Sequence, residues 1–282
     1  MRWLITGAGG MLGRDLCALL PSAVAATHAD LDITDPAAVR SALKFVDVVV
    51  NAAAWTDVDG AEVDEAAATA VNGHAVAGLA TACRQTQVVL IHLSTDYVFN
   101  GRATRPYAER GLANPVNAYG RSKLVGERAV LAAGGYVVRT AWLYGVHGRN
   151  FVSTMLRLAA QRETVDVVTD QHGQPTWSKA LAGQLVTLGE RAAAGFVRPG
   201  AYHGTASGET TWYGLAKAVF DEAGLDPARV RPVTTARFPR PAPRPLYSVL
   251  GHEGWTGTGI DPLPNWRSML SEAMKEILPA LG

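Results

Sequence analysis

Apolar and polar positions follow two rhythms through the first half of the chain. Short runs that are apolar at nearly every position, at 3–6, 23–27, 46–51, 88–94 and 136–140, predict strands buried on both faces. Between them apolar positions recur every three or four residues, which predicts helices starting at Leu12, at Pro36, at Val63 and after Asn117. Asp35 before Pro36 supplies an N-cap and a first-turn proline. Asn117 caps the long helix, which Gly134 and Gly135 end near Ala133. Strictly alternating strand and helix predict an α/β fold, a Rossmann-type doubly wound parallel sheet. Past about Gly145 the pattern loosens into helical stretches at 151–161, 179–194 and 211–223 among short strands and proline-rich turns, with extended chain at 238–245. The expected division is a first domain over 1–145 that carries the parallel sheet and a smaller mixed α/β region over 146–282, with the chain able to cross back to the first part.

Composition narrows the class. With 282 residues, 48% hydrophobic and 18% charged, the chain has material for a substantial core, and it has no run of the ~20 apolar residues that a membrane span requires. Its 26 basic and 25 acidic side chains leave a net charge of +1, which gives no general attraction to nucleic acid or to a membrane surface. Met1 and Arg2 lead directly into a strand and a glycine turn, without a signal-peptide pattern, so a cytoplasmic location is expected. Cys17 and Cys83 fall in predicted apolar helices and read as inert buried thiols; the seven histidines show no metal-ligand spacing.

Two motifs carry the chemistry. The first strand runs into Gly7, Gly10 and Gly13 and then a helix. In that arrangement Gly7 permits the tight turn, Gly10 lets a pyrophosphate approach the backbone, and Gly13 brings helix close to strand. The anion then sits on the helix N-terminus. Far downstream, Tyr119 and Lys123 stand one helical turn apart on one face. A phenol of ordinary pKa near ~10 is a poor acid at neutral pH. A neighbouring ammonium is expected to lower that value, and a shift of about 3 units is worth roughly 4 kcal/mol. Thr95 and Asp96 follow an apolar strand, at the carboxyl end where open α/β sheets bind ligands, and the Thr95 hydroxyl can polarise a carbonyl. The small residues after Asn51, including Ala53 and Ala54, suit close approach of a cofactor. Asp30 and Asp32 lie where an acid binds the adenosine ribose of NAD, whereas Arg14 offers a guanidinium to the 2′-phosphate of NADP, so either cofactor fits.

With these motifs in place, the sequence resembles the extended short-chain dehydrogenase/reductase superfamily and, within it, the dTDP-4-dehydrorhamnose reductase family, through the stretches 51–56, 94–101, 139–144, 150–159, 170–176 and 202–212. That resemblance implies reduction of the 4-keto group of dTDP-4-dehydro-L-rhamnose by NADPH or NADH. Tyr119 would be the general acid, Lys123 would depress its pKa and bind the nicotinamide ribose, and Thr95 would bind the carbonyl. It implies cofactor contacts at Gly7, Gly10, Met11, Leu12, Gly13, Asp32, Ile33, Ala53, Ala54, Trp55 and Thr56. The implied substrate contacts, besides Thr95, are Asp96, Trp142, Asn150, Gln171, Pro175, Thr176 and Arg244. Some members of the family hold magnesium through glutamates at a dimer contact. The matching position here is Asp15, so magnesium and the choice between monomer and homodimer stay open. Two other readings also stay open at this point: another nucleotide-sugar 4-ketoreductase or epimerase, and an NADP-binding regulatory subunit of the methionine adenosyltransferase type.

Overall fold

The computed structural model describes residues 1–281. Its centre is one parallel sheet of six strands: β1 (Trp3–Thr6), β2 (Val24–Ala26), β3 (Val48–Asn51), β4 (Val89–Thr95), β5 (Tyr136–Thr140) and β6 (Gly200–His203). They lie in the order β2-β1-β3-β4-β5-β6. Going outward from the β1–β3 pair, the chain builds the sheet in opposite directions, which opens a crevice at the carboxyl ends of those strands.

Both faces of the sheet are covered. On one side Ile5, Val50, Ile91 and Val138 pack against Leu12 and Leu16 of the helix Met11–Leu19 and against Leu181, Leu185 and Leu188 of the helix Ser178–Ala193. On the other, Leu4, Val49, Leu90 and Val137 meet Val76 and Leu79 of the helix Val76–Thr86 and Val130 of the helix Ala118–Ala132. This double burial is why the strand sequences lack polar alternation.

The sixth strand is absent from the pattern-based expectation. Gly200 and Ala201 carry almost no side chain, so their segment has no apolar signature, and pairing with β5 defines it as strand. The chain therefore returns to the sheet layer over 178–203 before leaving it again.

The helix expected from Val63 is instead broken into pieces. Asp57 and Asp64 each cap a short helix, Val58–Val63 and Glu65–Thr69, and a π-helical turn at Ala70–Ala75 precedes Val76–Thr86. A capping aspartate immediately before each short run overrides the apolar period. The outer part of the molecule is built from the helices Phe151–Gln161, Trp212–Glu222 and Trp266–Leu281, with short two-stranded ladders such as Val165–Val168 beside Val230–Val233.

A buried ion pair ties the Tyr119 helix to the sheet. Arg139 of β5 grips the carboxylate of Glu127 with Nε and Nη2, at 3.0 and 2.8 Å, and the two side chains are 5% and 1% exposed. Arg139 Nη1 donates to Glu109 O at 3.0 Å, and the guanidinium lies 5.0 Å from the centre of the Phe99 ring. Removing one partner of such a pair leaves the other charge buried and alone. Glu127→Gln is expected to lower the unfolding free energy by about 3–5 kcal/mol, measured by urea denaturation. A loss below ~1 kcal/mol, the range of surface pairs, would contradict this role.

Candidate active site

The turn after β1 leaves no space for side chains. Gly7 adopts φ +71°, and a Cβ there would lie 2.6 Å from Ala53 N; a Cβ on Gly13 would lie 2.2 Å from Gly7 O. Gly10 is the N-cap of the following helix, and no side chain caps it. The first amides of that helix, from Met11, Leu12 and Gly13, are therefore available to an outside acceptor, and the positive end of the helix dipole favours an anion. A dinucleotide pyrophosphate fits this cradle.

The other expected cofactor contacts are arranged around it. Asp30 and Asp32 are exposed after β2 but tied into their own turns, where they accept from Thr27 and Thr34. Ile33 is buried in the core and can present only its backbone. Arg14 Nε donates to Gly9 O at 3.2 Å, beside the turn. Ala53, Ala54, Trp55 and Thr56 form the loop leaving β3. Asn72, in the π-helical turn, clamps that loop: its Oδ1 accepts from Trp55 N at 2.9 Å, and its Nδ2 donates to Trp55 O and to Ser122 Oγ, both at 3.0 Å. The cofactor loop and the Tyr119 helix are thus linked through one buried amide. An asparagine between Val71 and Gly73 gives no sequence signal of this.

Tyr119 and Lys123 share a helix face, but they do not pair as expected. Lys123, 2% exposed, donates from Nζ to Leu93 O at 2.6 Å and lies 3.5 Å from His92 Nε2. Burial lowers its pKa to about 8, against a smaller opposing pull from Glu127. The Tyr119 phenol is pushed above its ordinary value, chiefly by burial and then by the negative charge of Asp96, with the Thr95 hydroxyl working the other way. The expected depression by the ammonium is corrected: in the protein alone, desolvation and the Asp96 carboxylate raise the phenol, while Lys123 Nζ is engaged with Leu93 O and His92 instead.

Thr95 ends β4 and is nearly buried. Its hydroxyl donates to Asp96 Oδ1 at 3.0 Å and accepts from Tyr97 N at 3.1 Å. Asp96 is 3% exposed, and its Oδ2 has no hydrogen-bond partner. Burial raises its carboxyl pKa to about 6, opposed by the hydroxyls of Ser248 and Thr95. Tyr97 stands edge-on to Tyr119 with ring centres 6.0 Å apart. Its place beside Tyr119 depends on how the turn after β4 meets the Ala118–Ala132 helix, which the sequence alone does not give.

Beyond Tyr97 opens a cleft of about 860 Å³ between the helix Phe151–Gln161, the strand Val165–Val168 and the loop 235–244. Gln171 and Arg244 line it together with Trp212 and four further arginines, Arg162, Arg231, Arg237 and Arg240. Gln171 donates from Nε2 to Thr235 and accepts from Trp212 Nε1. Arg244 is braced by Asp59 at 3.0 Å. Trp142 holds φ +46° and stacks on Trp212 with ring centres 3.6 Å apart. A bulky residue in that conformation is strained, as residues at ligand sites often are.

Three expected substrate contacts lie elsewhere. Asn150 caps its helix, accepting from Ser153 N at 3.0 Å and donating to Gly145 O at 2.9 Å. Pro175 is buried and Thr176 wholly so, with the Thr176 hydroxyl donating to Gln174 O and accepting from Ala206 N. Asp15 is likewise turned inward: its Oδ2 accepts from Ser178 Oγ at 2.5 Å, and His147 Nε2 is 3.8 Å from Oδ1. Among the described residues no group of three or more His, Cys, Asp or Glu side chains is placed to hold a metal ion. The residues present do not fit a magnesium site within this chain.

A dinucleotide cradle at the switch point of a parallel sheet, with a tyrosine and a buried lysine on the adjoining helix, defines an NAD(P)H-dependent oxidoreductase of the short-chain dehydrogenase/reductase type. Comparison with known proteins narrows this. The family model described as RmlD substrate binding domain matches residues 1–278, and the chain belongs to that family. It is 52% identical over 290 residues to a dTDP-4-dehydrorhamnose reductase of Streptomyces griseus, covering 100% of this chain and 95% of the relative. It is 50% identical over 281 residues to a dTDP-4-keto-6-deoxy-D-glucose reductase of Streptomyces niveus, covering 96% of each. Among solved structures, a dTDP-4-dehydrorhamnose reductase from Bacillus anthracis in complex with NADP superposes with a TM-score of 0.91 at 34% identity, covering 98% of this chain and 99% of that one.

The Asp96 carboxyl yields a stability prediction. Because its folded pKa of about 6 exceeds the ordinary 3.8, the protonated form is favoured in the fold. That stability is fully present below about pH 4 and is lost as pH rises through 6. Asp96→Asn, neutral at every pH, is therefore expected to raise the unfolding free energy by on the order of 3 kcal/mol at pH 7.5 and not at pH 3.5. Urea denaturation at both values checks it; an equal effect at the two would contradict the assigned cause.

Proposed function

We propose that this chain reduces the 4-keto group of a dTDP-linked 6-deoxyhexulose, dTDP-4-dehydro-L-rhamnose above all, to dTDP-L-rhamnose, with NADPH or NADH as the reductant. The observation that carries the reading is the meeting of Thr95, Asp96 and Tyr119 at the carboxyl end of β4, with buried Lys123 one turn along. Full-length identity of about half to reductases of such sugars supports the substrate class.

Gly7, Gly10 and the first amides of the helix Met11–Leu19 would hold a reduced dinucleotide, whose chemistry would be to provide the hydride for the carbonyl carbon. Tyr119 donates its phenolic proton to the carbonyl oxygen, and the Thr95 hydroxyl, turning its one hydrogen from Asp96 Oδ1 to that oxygen, orients it by a hydrogen bond. A phenol held above its ordinary pKa stays protonated across the physiological range, so the acid is always loaded. Its weakness as a donor is offset by the Lys123 cation, which favours the phenolate left behind. Lys123 also serves the ribose hydroxyls, and the Asn72 clamp fixes the loop opposite. In the cleft the arginines suit a diphosphate, to which guanidinium groups bind in a planar, forked geometry. The stacked Trp142 and Trp212 offer an apolar wall to the sugar or base.

Tyr119→Phe is expected to lower kcat by about 10²–10⁴-fold while leaving NADPH binding intact, with NADPH oxidation followed at 340 nm on dTDP-4-dehydro-L-rhamnose. Unchanged turnover would remove Tyr119 as the acid. The same assay with dTDP-4-dehydro-6-deoxy-D-glucose separates the two sugars, and an epimerase would show no net cofactor oxidation with either.

A further inference from the structure

Three neighbouring strands of the sheet carry polar side chains in one row. The register sets Thr6 beside Asn51 and Asn51 beside His92. All three are almost wholly buried, on the face covered by the Tyr119 helix. Their contacts run on to the lysine: Thr6 Oγ1 donates to Asn51 Oδ1 at 2.6 Å, Asn51 Nδ2 is 2.9 Å from His92 Nδ1, and His92 Nε2 is 3.5 Å from Lys123 Nζ. Polar groups buried this deeply cost stability unless they are paired, so the directions of their hydrogens are constrained.

Those directions follow from one obligate donor. The Ala53 N–H can only donate, and it is aimed at Asn51 Oδ1 at 3.3 Å. Oδ1 is thus the acceptor end of the amide, and the donor end, Nδ2, faces His92 Nδ1, which must be bare to accept. Burial keeps the imidazole well below its ordinary pKa and so neutral. Its single proton therefore sits on Nε2, the nitrogen that faces Lys123. A neutral amine can accept that hydrogen; an ammonium, with three of its own and no lone pair, cannot.

We propose that His92 is a positioning residue for Lys123: locked by Asn51 as its Nε2–H tautomer, it turns a donor toward the lysine, favours the neutral amine, and sets the pH at which Lys123 changes charge. The proposal rests on the reading above of Lys123 as the cation that serves Tyr119 and the ribose. The titratable groups facing Lys123 are His92 from β4 and Glu127 from its own helix, and Glu127 is held by Arg139 from β5. Activity that needs the ammonium is then lost as pH rises through about 8.

Nitrogen-15 NMR of histidine-labelled protein without cofactor reads the tautomer directly. Wild-type His92 is expected as Nε2–H. Asn51→Asp places an acceptor against Nδ1, which moves the proton there and bares Nε2 to the ammonium. The alkaline limb of kcat/KM for NADPH should then move up by about one pH unit. His92→Met, which has no donor to turn toward the lysine, should move the limb the same way and serves if Asn51→Asp does not fold. An Nδ1–H tautomer in the wild type, or an alkaline limb unmoved in the folded variants, overturns the proposal. A Tyr119→Phe enzyme that keeps its turnover, with the tautomer and its switch as described, would defeat the functional reading and leave His92's hold on Lys123 standing.

Discussion

Two backbone contacts have no room for a single added carbon, and the remaining architecture is arranged around them. Where Gly7 meets Ala52 and Ala53, β1 and β3 deliver their carboxyl ends to one point; where Gly13 meets Gly7, the helix Met11–Leu19 is drawn down onto the same turn. Close approach exposes an uncapped helix N-terminus at the switch point of the sheet. It also puts the β3 loop within reach of Asn72, and through Asn72 it connects to the helix of Tyr119. Cofactor cradle and acid are therefore parts of one packed unit.

Around that unit the protein carries arrangements that do not favour its own stability. Asp96 is buried with one oxygen unpartnered, Lys123 is buried with its charge depressed, and Trp142 holds a left-handed backbone. None of these helps the fold, and all lie beside the cleft or the carboxyl end of β4. Such costs cluster where a site needs preorganised groups. The offset comes from the two apolar layers of the sheet, while the enclosed Arg139–Glu127 pair fixes the Tyr119 helix from behind.

What could be read from the sequence was what local chemistry decides. The glycine turn, the Asn117 cap and the Asp35–Pro36 start each act within a few residues, and the apolar runs of β1, β3, β4 and β5 announce burial on both faces; the run at 23–27 does not, because β2 is an edge strand with Val24 and Ala25 exposed. What could not be read depends on register or on distant partners. Gly200–His203 becomes a strand through β5, and nothing in four residues rich in small side chains says so. The row Thr6, Asn51, His92 exists only once three strands are aligned. Asn150 and Thr176 are named by the resemblance alone, and that one caps a helix and the other is a buried hydroxyl is set by tertiary structure. The Tyr119–Lys123 spacing was legible, yet the direction of the tyrosine's shift was not, since Asp96 and burial act through tertiary structure.

The central claim is that Tyr119 and Thr95 address one carbonyl oxygen beside the nicotinamide. A crystal structure of the protein with NADPH and an unreactive dTDP-sugar analogue tests it most directly. The account predicts the sugar's O4 within about 2.6–3.2 Å of both Tyr119 Oη and Thr95 Oγ1, with Lys123 Nζ at the ribose hydroxyls. A sugar seated in the arginine-lined cleft with its O4 turned away from Tyr119 would contradict it.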